Sequence, residues 1–405
     1  MRPAPLFAVE TEAASDLESW LLHAGHGGEP TLVETRDGVP FFFNEFWTAR
    51  QRQAHPIHEV SYRACFKPQL PAFFIDRLTA PGDVVYDPFM GRGTTPIQAA
   101  LMGRTPVGND INPLSPFLTR PRTRPPSLPQ VAQRLGAIDW DAPVSVRDDL
   151  AVFYHPETLR RICRLRDYLM ARDAAGELDA VDDWIRMVAL NRLTGHSPGF
   201  FSVYSLPPNQ AVSIAAQAKI NAKRDQVPPL RDVAAIILKK SKSLLSEGGP
   251  PAGLEGRFLT GSADHTPAIA DGSVQLVVTS PPFLDVVQYA ADNWLRSWFA
   301  GIDAASVQIA MHKKPADWTR FIAGVFTELA RVVARGGHVA FEVGEVRGGK
   351  IKLEDLVLDA VRDLPFAPLG VVVNVQEFTK TANCWGVSNN AKGTNTNRIV
   401  VLRRG

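Results

Sequence analysis

One stretch of 27 residues, 84–110, constrains this 405-residue chain more than any other. Val84-Val85-Tyr86 is a short apolar run that ends on Asp87. A glycine-containing loop follows, Pro88-Phe89-Met90-Gly91-Arg92-Gly93, and Thr94 to Met102 then has helical spacing. Gly103-Arg104 closes that helix, and Pro106-Val107-Gly108 leads into a second apolar run ending on Asp110. Strand, tight loop, helix and strand in so short a span form a β-loop-α-β unit. Such a unit requires a parallel pair with a right-handed crossover, and so an open α/β sheet.

The pattern resumes far downstream. Arg257-Phe258-Leu259-Thr260 and Val274-Gln275-Leu276-Val277-Val278 read as the third and fourth strands, followed by a helix around 317–334. His338 to Val343, Gly370 to Val375 and Ile399 to Leu402 read as the remaining strands. Between the second and third strands lies a long insertion, residues 116–256. It opens with a Pro- and Arg-rich stretch (Arg120, Pro121, Arg122, Arg124, Pro125, Pro126) that suggests a boundary. Helical periodicity follows over 157–195, then an irregular aromatic loop over 196–210, then a basic helix over 231–246. The expected organisation is therefore one α/β domain made of 56–115 and 257–405, interrupted by a mainly helical region. Residues 1–55 contain the dense run Phe41-Phe42-Phe43-Asn44-Glu45-Phe46-Trp47, followed by Arg50, Arg52 and His55. That run reads either as a segment packing on the core or as an arm that touches a ligand.

Composition excludes several classes. An apolar fraction of 45% with 21% charged residues is that of an ordinary soluble domain. No apolar run approaches the roughly 18 residues of a membrane span, and the N-terminus has no apolar leader, so a cytoplasmic protein with no membrane partner is expected. Cys65, Cys163 and Cys384 are scattered and odd in number, which argues against a disulfide framework, and no spacing suggests a metal site. The net charge of +2 implies no polyanion partner by itself.

Two loops carry chemistry. In Asp87 to Thr95 the glycines let a ligand approach the backbone, while the following helix offers free N–H groups. Asp110, at the end of the next strand, can accept hydrogen bonds from two ribose hydroxyls, which suits a nucleoside-type cofactor. In Thr279-Ser280-Pro281-Pro282-Phe283 two prolines stiffen a corner after a strand. A hydroxyl, free carbonyls and an aromatic face are then held in fixed relation, which suits a planar heterocycle bearing an NH2 group.

Together the loops resemble those of the DNA amino-methyltransferases, which methylate cytosine N4 or adenine N6. Asp87 to Thr95 is similar to that family's cofactor loop, and Ser280-Pro281-Pro282-Phe283 to its catalytic loop. Phe66-Lys67-Pro68-Gln69-Leu70 resembles a further cofactor motif, and Asn397 to Leu402 the final strand. The resemblance covers roughly 58–115 and 257–402. It implies a Rossmann-like methyltransferase sheet, S-adenosylmethionine as cofactor and duplex DNA as partner. Cofactor contacts would fall to Lys67, Pro68, Asp87, Pro88, Phe89, Gly91, Gly93, Thr94, Thr95, Asp110, Asn112 and Asp264. Catalysis would fall to Ser280, Pro281, Pro282 and Phe283. Two features depart from the familiar pattern: Arg92 stands where a serine is common, and the cofactor loop precedes the catalytic loop.

The resemblance further implies that the target base is flipped from the duplex. Phe283 would stack on the ring, while Ser280 and the Pro281 carbonyl would hold the amino group. A serine opening the catalytic loop points to cytosine N4. An adenine-N6 enzyme, an RNA amino-methyltransferase and an inactive nucleic-acid-binding module of the same fold are the alternatives. The cysteines argue against carbon-5 chemistry, whose nucleophilic cysteine usually follows a proline: Ala64, Ile162 and Asn383 precede the three here. A restriction endonuclease, if one is paired with the chain, would be a separate protein. For the DNA surface, residues 186–246 hold nine Lys or Arg against Asp225 and Asp232. Arg224, Lys239, Lys240 and Lys242 are the candidates there. Asn389 and Asn390, in the Asn-rich loop from Asn383, are further candidates.

Overall fold

Apolar runs that end on a polar residue become the strands of a nine-stranded sheet in the computed structural model. The structure describes every residue except 1–16, 27, 49–53, 64, 207, 209, 285–288, 305–306, 308–311, 347–349 and 376–395. In chain order the sheet strands are β1 (Leu32–Arg36), β2 (Val39–Asn44), β3 (Val84–Asp87), β4 (Thr105–Asp110), β5 (Arg257–Thr260), β6 (Val274–Thr279), β7 (Val333–Val343), β10 (Phe366–Val375) and β11 (Thr396–Arg404). β8 (Glu345–Val346) and β9 (Ile351–Lys352) form a separate small hairpin.

The sheet order is β1-β2-β10-β11-β7-β6-β3-β4-β5. From β5 to β7 all neighbours are parallel, and β11 runs antiparallel between β7 and β10. From β3 the chain winds outward through β4 to β5, then returns to β6 on the other side of β3. The winding direction therefore reverses between β3 and β6. In open α/β sheets a ligand crevice lies at the carboxyl ends of the strands at such a reversal.

All seven strands expected from the sequence are strands here. β1 and β2 were not anticipated. Phe41 and Phe42 are fully buried and Phe46 and Trp47 nearly so, with β2 pairing parallel to β10. The aromatic run is thus a strand of the sheet, between β1 and β10, and the segment that packs behind it, which corrects the alternative of a ligand-touching arm; Arg50 and Arg52 lie outside the described residues. Apolar side chains at successive positions face both sides of a covered strand, so the run shows no alternation to reveal it.

Between β4 and β5 the chain is helical: Leu114–Thr123, Leu128–Ala137, Pro156–Ala174, Ala180–Leu190, Ile214–Arg224 and Val233–Leu244. The Pro- and Arg-rich stretch expected as a boundary is instead largely the first of these helices, with Pro121 inside it. Arg122 is completely buried, and its guanidinium donates to the carbonyls of Leu118, Ile57 and Arg92. Three carbonyls offset the cost of taking that cation out of water. One apolar cluster joins Ile97, Leu114 and Leu118 beside the sheet to Val131, Trp184, Ile185, Phe201 and Ile237 of the helical region. It continues into Leu295 and Phe299 of the helix Tyr289–Ala300, which follows the second loop. The insertion therefore shares its core with the elements that flank both loops. Phe201 of the irregular aromatic loop belongs to it, and Phe200 is buried as well.

Candidate active site

Asp87 closes β3 and Thr279 closes β6, so the two loops named by the sequence leave adjacent strands at the same end of the sheet. They are tied together. The Thr279 hydroxyl donates to Asp87 Oδ1 at 2.6 Å, and the Phe89 amide donates to the same oxygen at 3.0 Å. Thr95 is buried and donates to the Val278 carbonyl at 3.0 Å, which links the first helix of the unit to β6. Burial pushes the Asp87 carboxyl up to about 7, against the pull of those hydrogen bonds.

The first loop is shaped by its glycines. Gly91 and Gly93 have φ of +49° and +80°, the left-handed region where a Cβ is disfavoured. Gly93 also lies against Thr119, whose Cβ would stand 2.8 Å from any Cβ placed there. The Gly91 amide donates to Asp110 Oδ2 and the Asn112 amide to Asp110 Oδ1, each at 2.8 Å. Asp110 is thereby fixed at the tip of β4 as half-buried, and burial raises its carboxyl to about 6. Each of its oxygens keeps a further lone pair, so two ribose hydroxyls can still be received. Asn112 is buried; it donates to the Tyr62 hydroxyl at 3.0 Å and accepts from the Leu114 amide.

The remaining cofactor candidates surround this loop in different ways. The Pro88 carbonyl is within 3.5 Å of Asn109 Nδ2, and the half-buried Phe89 ring lies 6.0 Å from Phe321. Thr94 is buried and accepts from Arg92 Nε. Arg92 also donates to the carbonyls of Val60 and Phe66, so it fastens the 60–66 segment across the loop. That is the role of the side chain that departs from the familiar serine. Lys67 and Pro68 lead directly from this segment into the helix Gln69–Leu78. Asp264 is exposed, beyond the end of β5, and accepts from Ser262.

The second loop is held from behind. Trp318 Nε1 donates to the Pro282 carbonyl at 2.9 Å, while Pro281 is buried and Ser280, Pro282 and Phe283 are partly exposed. Two residues that the sequence reading missed belong here. Tyr62 lies over Gly91, with its ring 3.6 Å from where a Cβ there would be. Glu342, in β7 at the position beside Ser280, is 7% exposed and accepts from Asn397 Nδ2 at 3.0 Å. An acid inside the apolar run His338 to Val343 was the available signal for Glu342; nothing in the sequence marks Tyr62.

The basic helix needs a correction. Lys240 is 8% exposed, and its Nζ pairs with Glu59 Oε1 at 2.6 Å. It shares a helix face with the buried residues Val233, Ile237, Ser241 and Leu244, so periodicity turns it inward and it is not available to a phosphate. Lys239 and Lys242 lie outside that stripe and are exposed. Arg224 is exposed and stacks on Tyr204 at 3.8 Å. Arg186 and Arg192, counted in the same basic segment, are buried. Asn389 and Asn390 lie outside the described residues. Among the described residues no cluster of His, Cys, Asp and Glu could hold a metal ion, and no helix is long and apolar enough to cross a membrane.

Geometry thus sets the Asp110 carboxylate and its glycine loop in an α/β crevice beside a stiff Ser-Pro-Pro-Phe corner. Comparison with known proteins points the same way. A family described as DNA methylase matches residues 32–114. The type II methyltransferase M.MjaII of Methanocaldococcus jannaschii is 42% identical over 66 residues, 16% of this chain and 12% of that protein. The type II methyltransferase M.MvaI of Kocuria varians is 28% identical over 128 residues, 31% of this chain and 25% of that protein. The chain therefore matches at most a quarter of the length of these relatives. Among solved structures, TrmN from Thermus thermophilus aligns over 100% of this chain and 69% of its own, at 15% identity and a TM-score of 0.35.

Proposed function

We propose that the chain is an S-adenosylmethionine-dependent methyltransferase acting on an exocyclic amino group of a base in duplex DNA, with cytosine N4 as the target. The observation that carries this reading is the junction of the two loops. A ribose-accepting carboxylate with its glycine loop and a Ser-Pro-Pro-Phe corner leave neighbouring strands and are joined by the Thr279–Asp87 hydrogen bond. The similarity of residues 32–114 to the DNA methylases and the two type II methyltransferase relatives support the class. Cytosine rests on Ser280 alone, where adenine enzymes commonly carry an acid.

The residues present fit the cofactor. Asp110 has lone pairs left for two hydroxyls, and the left-handed backbone at Gly91 keeps a side chain out of the cradle beneath Tyr62. When bound, S-adenosylmethionine supplies an electrophilic methyl group. The chain's own part is positioning. Phe283 stacks on the flipped base, and Ser280 with the Pro281 carbonyl orients the amino lone pair. The insertion is the target-reading region in this account. Its exposed cations Lys219, Lys223, Arg224, Lys239 and Lys242 supply phosphate contacts.

The test is transfer of an isotopically labelled methyl group from the cofactor to a duplex by the purified chain. Wild type should label the DNA. Ser280→Ala should lose transfer while keeping its calorimetric affinity for the cofactor. An unlabelled duplex together with tight cofactor binding would point instead to another acceptor.

A further inference from the structure

A row of polar side chains crosses the sheet beside the proposed site. Registers pair Thr279 with Phe341, Glu342 with Ile399, and Asn397 with Asn374. Ser280, Glu342, Asn397 and Asn374 therefore stand side by side at one end of β6, β7, β11 and β10. They share the face that carries Val278, Ala340, Ile399 and Val372. Asn374 is fully engaged in structure: its Oδ1 accepts from the Phe46 and Trp47 amides, and its Nδ2 donates to the Trp47 carbonyl. Glu342 has no such structural assignment. The neutral Asn397 amide donates to its buried carboxyl, Ser280 stands beside it on the neighbouring strand, and no cation among the described residues pairs with it. A carboxylate buried on those terms is costly, and a glutamine would satisfy the same space more cheaply.

We propose that Glu342 is the positioning residue behind Ser280, and that it receives, through the Ser280 hydroxyl, the proton that the target amino group must lose. The proposal rests on the amino-methylation reading above. The nitrogen forms a new N–C bond as the methyl group's bond to the sulfonium sulfur breaks, the electron pair of that bond staying on sulfur as a neutral thioether, and the nitrogen is left with a positive charge and one proton too many. That proton passes to Ser280 Oγ as the Ser280 proton passes to a Glu342 carboxylate oxygen. The result is a neutral methylated amine, an unchanged serine and a neutral carboxylic acid, which later releases its proton to solvent. In this relay the Ser280 O–H donates to Glu342, which leaves the serine lone pairs to the amino group as acceptors.

The electrostatic setting suits the role. Burial pushes the Glu342 carboxyl up to about 7, where a group can both hold and release a proton at neutral pH. Charged groups on the neighbouring elements have partners of their own or stand elsewhere. Asp87 bonds Thr279, on the opposite face of β6, and Arg398 of β11 pairs with Glu354. The helix Gln69–Leu78 on the same face carries Asp76 and Arg77, with Lys67 in the turn before it.

Three variants test this. Glu342→Gln keeps the shape but cannot take the proton. Its single-turnover methylation rate should fall on the order of a hundredfold, with cofactor affinity unchanged. The wild-type rate should rise with pH through about 7, and that limb should vanish in the Gln variant, whereas Glu342→Asp should retain it. An infrared titration of the cofactor-free protein gives a readout independent of turnover. Two buried carboxyls, Asp87 and Glu342, should titrate near 7; one of the two should be absent in Glu342→Gln and should move to higher pH in Ser280→Ala, where the charged form loses a donor. A Gln variant with the wild-type rate and pH profile overturns the proposal and leaves the proposed function standing. So does a Glu342 titration that Ser280→Ala leaves unmoved, even if the Gln variant fails to fold. A wild type that binds the cofactor yet methylates no amino group in DNA overturns the function, and the proposal with it.

Discussion

Gly93→Ala should separate two costs that usually arrive together. The first is conformational: at φ +80° an L side chain is disfavoured by about 1–2 kcal/mol. The second is steric. The new Cβ would meet Thr119 Cγ2 at 2.5 Å and Cβ at 2.8 Å, with Oγ1 closer still. Thr119 is fully buried in the helix Leu114–Thr123 and cannot swing away, so overpacking should add about 1–3 kcal/mol. Gly103→Ala is the control. It has nearly the same φ, +75°, but nothing within 4 Å of its Cβ, so it should carry the conformational cost alone. Thr119→Ala in the Gly93→Ala background removes Oγ1 and Cγ2 and should recover about 1–2 kcal/mol, less than the full steric cost because Cβ remains. Urea unfolding of these three variants, of Thr119→Ala alone and of wild type measures each value. Equal losses for Gly93→Ala and Gly103→Ala, with no coupling to Thr119, would refute the claim that the cofactor loop is pressed against that helix.

Other substitutions probe other parts of the site. Asp110→Ala should weaken S-adenosylmethionine binding by about 1–3 kcal/mol, read by calorimetry on a folded variant, since two ribose hydroxyls lose a charged acceptor. Asp87 has a folded-state carboxyl raised from 3.8 to about 7, so the folded protein holds a proton that the unfolded chain has already released. Its contribution is thus fully present below about pH 4 and is lost as pH rises through about 7. Asp87→Asn should flatten that fall and gain on wild type by up to ~4 kcal/mol between about pH 5 and 8, about three units at ~1.4 kcal/mol each; parallel stability curves would contradict it. Neutralising Lys239 and Lys242 together should weaken binding to all duplexes and reduce the salt slope by up to about 1.8, at ~0.9 per phosphate contact. Coincident slopes would show that face to be merely solvated.

Sequence carried the sheet well because parallel strands covered on both faces read as continuous apolar runs bounded by polar ends. β3, β4, β6 and β7 are of this kind, and the acids closing β3 and β4 marked the crevice as well. β2 escaped because its pairing with β10 joins residues more than three hundred apart, and no local signal reports such a partner; β1 pairs only with β2 and escaped with it. Arg122 misled for a related reason. A run of arginines and prolines reads as solvent-exposed linker, yet tertiary contacts with the carbonyls of Ile57 and Arg92 turn one of them into a core residue. Lys240 was legible in principle: the stripe Val233, Ile237, Ser241 and Leu244 already placed it on the inward face. Glu342 needed the register of β6 against β7, which brings it beside Ser280 from sixty residues downstream.

The central claim is that Ser280-Pro281-Pro282-Phe283 receives a cytosine and methylates its amino group. Nucleoside mass analysis of DNA from cells expressing the chain tests it most directly. The account predicts N4-methylcytosine in that DNA and none in DNA from cells expressing Ser280→Ala. Only N6-methyladenine would contradict the cytosine assignment while leaving amino-methylation intact, and DNA without either base would contradict the account as a whole.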